Sequence, residues 1–142
     1  MAEKNNFKMV IVIQCAMAKK RCSGYLCMNA FYNRDDFFED YPKDKEIRFF
    51  SFDCGGCCGK SVNSLMSNVS RKMLKTSDIK KEEVAVHLSS CMSLDNHHSD
   101  RCPFIDTIKE AVKKQGFTNI FEGSKLSKTA QRKREEGIYK KY

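Results

Sequence analysis

The sequence FKMVIVI, residues 7–13, constrains the fold of this chain more than any other segment. Because an almost unbroken apolar run leaves no polar face toward water, it predicts a β-strand that is buried on both faces. Such strands occur mainly in parallel sheets, which are covered by helices on both sides. The run is also too short to cross a membrane, which takes about 18 consecutive apolar residues. We therefore expect an α/β protein with no membrane-spanning segment.

Three further segments have strand-like composition, and helical patterns lie between the strands. Apolar side chains from Val62 to Met73 recur at the spacing of one helix face, and Pro103 and Gly116 mark the start and end of another helix. This alternation predicts a three-layer sandwich with a mostly parallel four-stranded sheet, of flavodoxin or Rossmann type. The predicted strands are residues 7–13, 47–52, 83–89 and 117–122, and the two less regular helices are residues 23–38 and 124–133.

Charge divides the 142 residues into an α/β domain, 1–124, and a basic C-terminal tail, 125–142. The tail holds seven basic and two acidic residues, so it accounts for most of the net charge of +8. A basic tail can contact nucleic acid, but no stripe of interleaved aromatic and basic residues supports that reading. We expect the tail to be a solvated helix, and the sequence indicates no protein partner.

Cysteine usage is the strongest functional signal. The chain has eight cysteines, and its apolar run is too short for a secretion signal, so we expect a cytoplasmic protein. A reducing cytosol disfavours structural disulfides, and clustered cysteines there more often bind metal or perform redox chemistry.

Every cysteine lies in a strand-to-helix connection or in the first turn after it. In a parallel sheet these connections all meet at the carboxyl edge, where such folds bind ligands. Cysteines that served only as small core residues would also occur inside strands and along buried helix faces. We therefore predict one shared metal site at this edge. Its candidate ligands are Cys15, Cys22, Cys27, Cys54, Cys57, Cys91, Cys102 and His98.

Several chemistries suit such a set. Zinc, held by four thiolate or imidazole ligands, is the first choice. The CGGC segment, residues 54–57, also fits a thioredoxin-like dithiol, and four thiolates could hold an iron–sulfur cluster. The sequence lacks a P-loop, a dinucleotide fingerprint and a serine-nucleophile elbow, and no catalytic residue is assigned. His87, inside the third strand, is expected to be a hydrogen-bonded core residue.

The joint pattern KMVIVIQC, CSGYLC, FFSFDCGGCCGKS, VAVHLSSC and RCPFIDTIKEAV resembles the CGGC-domain family over about residues 8–122. The resemblance implies a metal-binding protein, zinc being the suspected metal. It carries over to Cys15, Cys22, Cys27, Cys54, Cys57, Cys91 and Cys102. The chain departs from the family at two places. Cys58 stands where the family usually has proline after the CGGC, and Gly123-Ser124 follows Glu122 where many members end the last strand with Thr-His.

Overall fold

A computed structural model describes residues 6–56, 58–94 and 100–142, and four parallel strands form its sheet. The strands are β1 (Met9–Gln14), β2 (Arg48–Asp53), β3 (Val84–Leu88) and β4 (Ile120–Glu122), in the order β2-β1-β3-β4. β1 lies between β2 and β3, with Met9 opposite Arg48 on one side and Val84 on the other. The predicted fold class, an α/β protein with a parallel four-stranded sheet consistent with a Rossmann-like sandwich, is confirmed.

Alternate side chains of β1 enter two separate cores. Ile11 and Ile13 pack in a core with Val62 and Ile108, whereas Val12 on the other face packs among aromatic rings that include Phe38. All six residues of β1 are buried, as the unbroken apolar run predicts. Each fully buried aliphatic side chain contributes about 1.5–3 kcal/mol, so this strand anchors both faces of the sheet.

The described residues form five α-helices beside the sheet: α1 (Tyr25–Asn33), α2 (Lys60–Thr76), α3 (Ser90–Ser93), α4 (Ile105–Lys114) and α5 (Lys128–Glu135). The first helix is shorter than the predicted 23–38, because Arg34 and Asp36 both adopt φ 56°. That left-handed conformation cannot continue an α-helix, so the chain turns into a separate 3-10 helix at Asp36–Phe38. The short helix α3 was not predicted.

The helix in the tail has one buried face. Ser127 caps α5 by accepting a hydrogen bond from the Ala130 N–H at 3.3 Å, and Ala130 and Arg134 are both buried. The expectation of a wholly solvated tail helix is therefore wrong for these two residues. Within the described ranges, no helix has both the length and the apolar character to cross a membrane.

Candidate metal and ligand site at the carboxyl edge of the sheet

Three cysteines follow three neighbouring strands. Cys15 comes directly after β1, Cys54 directly after β2, and Cys91 in α3 shortly after β3. The strands run in parallel register, with Gln14 opposite Asp53, and the Cys54 N–H extends the ladder by donating to the Gln14 carbonyl at 2.8 Å. The sheet topology alone therefore brings these three residues to one edge.

The thiol of Cys91 is half-buried and has a hydroxyl neighbour. Its Sγ lies 2.8 Å from the Ser89 hydroxyl oxygen. Burial raises the pKa of Cys91 above its ordinary value, and hydrogen bonds from Ser89 and from the backbone N–H of Cys15 act in the opposite direction without cancelling the effect. Negative charge on Cys15 or Cys27 raises the pKa of Cys91 further, so each of these two thiols lies near that of Cys91.

A pair of serines connects α1 with the ends of β3 and β4. The Ser90 N–H donates to Ser124 Oγ at 3.1 Å, and the Ser124 N–H donates to Ser90 Oγ at 2.9 Å. Ser124 Oγ is also hydrogen-bonded to Cys27 Sγ at 3.2 Å. Ser124, directly after Gly123, therefore links the end of β4 to Ser90 and to the thiol of Cys27 in α1.

A cavity of about 130 Å³ opens beside these thiols. Cys22, Cys27 and Cys91 line it, together with three basic side chains, Lys19, Lys125 and Arg134. Arg134 comes from α5, so the tail helix forms part of the wall. Lys125 is paired with the Asp36 carboxylate at 3.3 Å, and Arg134 donates to Gln131 Oε1 at 3.0 Å.

Gln14, the last residue of β1, is also in the cavity wall. Its side chain is only 2% exposed, and its Oε1 has no hydrogen-bond partner in the structure. A buried acceptor without a partner lowers the stability of the folded state by about 1–3 kcal/mol, so the position of Gln14 Oε1 is unfavourable for the fold.

The remaining described cysteines lie elsewhere on the same edge. Cys54, which is 6% exposed, belongs to the core of the α2–α4 face, and Cys102 packs against that core. The Phe104 N–H donates to Cys102 Sγ at 3.4 Å. Cys58 is exposed and lines an open groove between α2 and α4. The predicted ligands Cys57 and His98 lie outside the described residues.

The donor chemistry fits a thiophilic metal, but the described side chains do not form a finished metal cage. Across residues 6–56, 58–94 and 100–142, no three His, Cys, Asp or Glu side chains are arranged to hold one ion. Cys27 and Cys91 each share a hydrogen bond with a serine, a contact that a metal-bound thiolate can keep.

Sequence reasoning identified the thiols and missed most of the cavity wall. A signal for Gln14 was available, because it is a polar residue directly after the apolar run of a buried strand. Lys19 and Arg134 carried no such signal, since a basic residue outside a strand is ordinarily solvated.

A model of the CGGC domain matches residues 9–125 of the chain. Neither the search of curated proteins nor that of solved structures returned a match.

Proposed function

We propose that this chain, which belongs to the CGGC-domain family, binds a thiophilic metal ion, zinc, through cysteine thiolates at the carboxyl edge of its sheet. Membership of the family suggests metal binding in general. The cysteine thiols at the carboxyl edge of the sheet support zinc in particular, because zinc binds thiolate sulfur well. The observation that carries the proposal is that Cys27 and Cys91 line one cavity, and that the thiols of Cys15 and Cys27 both lie near enough to Cys91 to raise its pKa. Cys91 is more than 60 residues from either of them in sequence.

The residues that we propose as metal ligands are the cysteines that lie nearest to Cys91 and to the cavity beside it. Cys15, Cys27 and Cys91 form the proposed centre, and Cys22 lines the same cavity as the last two. Cys54, Cys57, Cys102 and His98 remain candidates for a second group of ligands or for completing the first. Zinc takes four ligands in a tetrahedron, so the thiols that form the centre need one further donor.

The protein's own groups prepare the thiols for this role. A ligand cysteine must lose its proton, and burial opposes that loss at Cys91. The Ser89 hydroxyl and the Cys15 backbone N–H stabilise the anion, and the cations of Lys19 and Lys125 lie along the adjacent cavity. When bound, zinc would supply a positive charge that keeps several neighbouring thiols deprotonated.

The second candidate function is a thiol oxidoreductase or an iron–sulfur protein that uses the same cysteines. An attacking redox thiol has a lowered pKa, whereas burial raises the pKa of Cys91. A cluster needs four thiolates around one point, an arrangement that the described part of the chain lacks. Both observations apply to a zinc site as well, so metal analysis distinguishes the three candidates.

The test is metal analysis of protein purified without oxygen, with a visible spectrum after replacement of zinc by cobalt. We expect stoichiometric zinc, no colour in the native protein, and thiolate-to-cobalt absorption after replacement. Cys91→Ser should lower zinc affinity by more than the roughly 10–100-fold loss that follows changes beyond the ligands themselves. Cys58→Ser is the matched control, because Cys58 is exposed and lines a different groove.

Two results would contradict the proposal. Iron and sulfide with a brown absorbance would establish a cluster instead. Metal-free protein in which two of these cysteines form a titratable disulfide would establish redox chemistry.

A further inference from the structure

Helix α1 presents apolar side chains to solvent. Tyr25, Met28 and Tyr32 recur at the i, i+3, i+7 spacing of one helix face, and the two tyrosines are 59% and 76% exposed. The opposite face, which carries Ala30 and Phe31, is the buried one. The outward face of a helix in a globular domain is normally polar, so an apolar outward face needs an explanation.

Helix α4 provides the contrast. Its exposed residues are all polar or charged, whereas those of α1 are mostly apolar, and none of the nine residues of α1 is charged. The exposed residues of α4 are Asp106, Thr107, Glu110, Lys113 and Lys114, and those of α1 are Tyr25, Leu26, Met28, Tyr32 and Asn33. Single exposed apolar residues are ordinary, but several on one short helix are typical of an interaction surface.

The two ends of this surface carry opposite charge. The basic residues 19–21 lie just before α1, and the exposed carboxylates of Asp35 and Glu39 lie just after it. Arg34 lies between the helix and these carboxylates, but its guanidinium is held against its own chain, where it donates to the Phe31 carbonyl at 2.7 Å. The surface therefore runs from a basic end, through an apolar centre, to an acidic end.

We propose that the exposed face of α1 is the contact between two copies of this chain, with the two helices antiparallel about a twofold axis. The axis would pass near Met28, and Tyr25 of each copy would lie near Tyr32 of the other. The antiparallel arrangement brings the basic end of each helix, with Lys20, to the acidic end of the other, with Asp35. A core of aromatic residues and methionine inside a charged rim is typical of protein interfaces.

A second copy accounts for both ends of the surface. An anionic membrane would attract the basic residues but repel Asp35 and Glu39. The apolar side chains offer on the order of 400 Å² per copy, about half of the roughly 800 Å² that each partner contributes to a standard interface, so we expect a dimer that dissociates at micromolar concentrations. The net charge of +8 opposes self-association, but its repulsion is screened beyond about 8 Å at physiological ionic strength.

Sedimentation velocity at physiological salt, from low to high micromolar concentration, tests the proposal. The protein is reduced and treated with chelator, so neither a disulfide nor a bridging metal can join two chains. We expect a monomer–dimer equilibrium that Tyr32→Ala weakens by about tenfold, because it removes an aromatic side chain from the apolar contact. Leu74→Ala is the matched control, since Leu74 is 60% exposed on a different helix, α2, and should leave the equilibrium unchanged.

Charge reversal tests the orientation of the two helices. Lys20→Glu and Asp35→Lys should each weaken self-association by about threefold to tenfold, because like charges then face each other at both ends of the contact. The two variants, mixed one to one, should form a heterodimer, since every contact between the ends again joins opposite charges. In a parallel pairing like ends would already face each other, so the single variants would not weaken it.

A protein that stays monomeric over this concentration range would overturn the proposal. A dimer that Tyr32→Ala leaves unchanged, or charge variants whose mixture associates no better than each alone, would do the same. Co-sedimentation of monomeric protein with phosphatidylserine vesicles, lost in Tyr32→Ala, would assign the face to a membrane instead. All measurements use metal-free protein, so failure here leaves the zinc proposal intact, and failure of zinc binding leaves this one intact.

Discussion

At the scale of single residues, the pair Tyr41 and His87 shows how a buried polar group is satisfied. His87 is fully buried, and its Nδ1 lies 2.9 Å from the Gly123 carbonyl, which can only accept. The Nδ1 therefore carries the proton, and Nε2 accepts from the Tyr41 hydroxyl at 2.6 Å. The prediction of a hydrogen-bonded core histidine is confirmed.

We predict that Tyr41→Phe lowers the free energy of unfolding by about 1–3 kcal/mol, because it leaves a buried Nε2 without its donor. Burial, with a smaller contribution from the charge of Asp40, raises the pKa of Tyr41. The folded state thus keeps a proton that the unfolded state loses above about pH 10, so this contribution is complete below that pH and falls as the pH rises.

Urea denaturation at several pH values measures both effects. Wild type should lose stability more steeply than Tyr41→Phe above about pH 10. Tyr32→Phe is the control, since Tyr32 is 76% exposed, and it should follow wild type. Parallel pH profiles for wild type and Tyr41→Phe would contradict the assignment.

Cys91 gives a second prediction at this scale. Since burial raises the pKa of its thiol and Ser89 counteracts that rise, iodoacetamide should react with Cys91 at a higher pH than with a cysteine peptide. Ser89→Ala should shift the midpoint higher still, because it removes a hydrogen bond to the thiolate. Mass-spectrometric rates against pH measure the midpoint, and a midpoint at or below that of the peptide would refute the prediction.

At the scale of elements, the joint after β4 determines where the site residues lie. Gly123 donates its N–H to the Leu88 carbonyl at 2.7 Å and adopts φ 124°. A side-chain carbon at this position would come within 2.4 Å of the Phe37 ring. Because Ser124 follows immediately, this glycine also positions the hydroxyl that holds Cys27.

Gly123→Ala should therefore destabilise the protein by about 3 kcal/mol or more, through strain and a clash with a packed ring. Gly137→Ala is the matched control, because Gly137 also has a positive φ of 81° but has no atom within 4 Å of the added carbon. It should cost only about 1 kcal/mol. Urea midpoints compare the two, and equal losses would show that the contact with Phe37 is unimportant.

The helices and strands were predictable from the sequence where their burial leaves a clear pattern of apolar residues. β1 and α2 have patterns that only a two-sided strand and an amphipathic helix explain, and both were found. The end of α1 was not predictable, since Arg34 and Asp36 rarely adopt a left-handed conformation. The helix α3 is four residues long, too short for a periodic pattern to reveal.

At the scale of the whole molecule, the predicted topology placed the cysteines at the carboxyl edge of the sheet. It did not predict which of them lie together along that edge. Parallel strands place Cys15, Cys54 and Cys91 at one edge of the sheet, and the sequence was enough to predict that edge. The cavity depends on how the segment after β4 and helix α5 fold back, which places Ser124 and Arg134 in the same wall. No local sequence pattern predicts that this segment and α5 pack against the cavity, so only the three-dimensional structure shows it.

The end of the tail also returns to the body of the protein. Asp100 accepts hydrogen bonds from the Tyr142 hydroxyl at 2.5 Å and from Lys140 Nζ at 3.0 Å, and Arg101 lies over the Tyr142 ring at 5.3 Å. These contacts, led by the one from Tyr142, lower the pKa of Asp100 to about 2. They hold the C-terminus against the segment that leads into Cys102.

We predict that Asp100→Ala releases the tail and speeds tryptic cleavage after Lys140 by about two- to fivefold, a modest change because the contact is exposed. Asp44→Ala, at an exposed position in the connection before β2, should cleave like wild type. A carboxyl group with a lowered pKa contributes above its unfolded pKa of about 3.9 and loses that contribution as pH falls further. The NMR signals of the Tyr142 ring should accordingly stay unchanged down to about pH 4 and move toward those of a free tail below it. Ring signals that already match a free tail at neutral pH would show that the tail is not held.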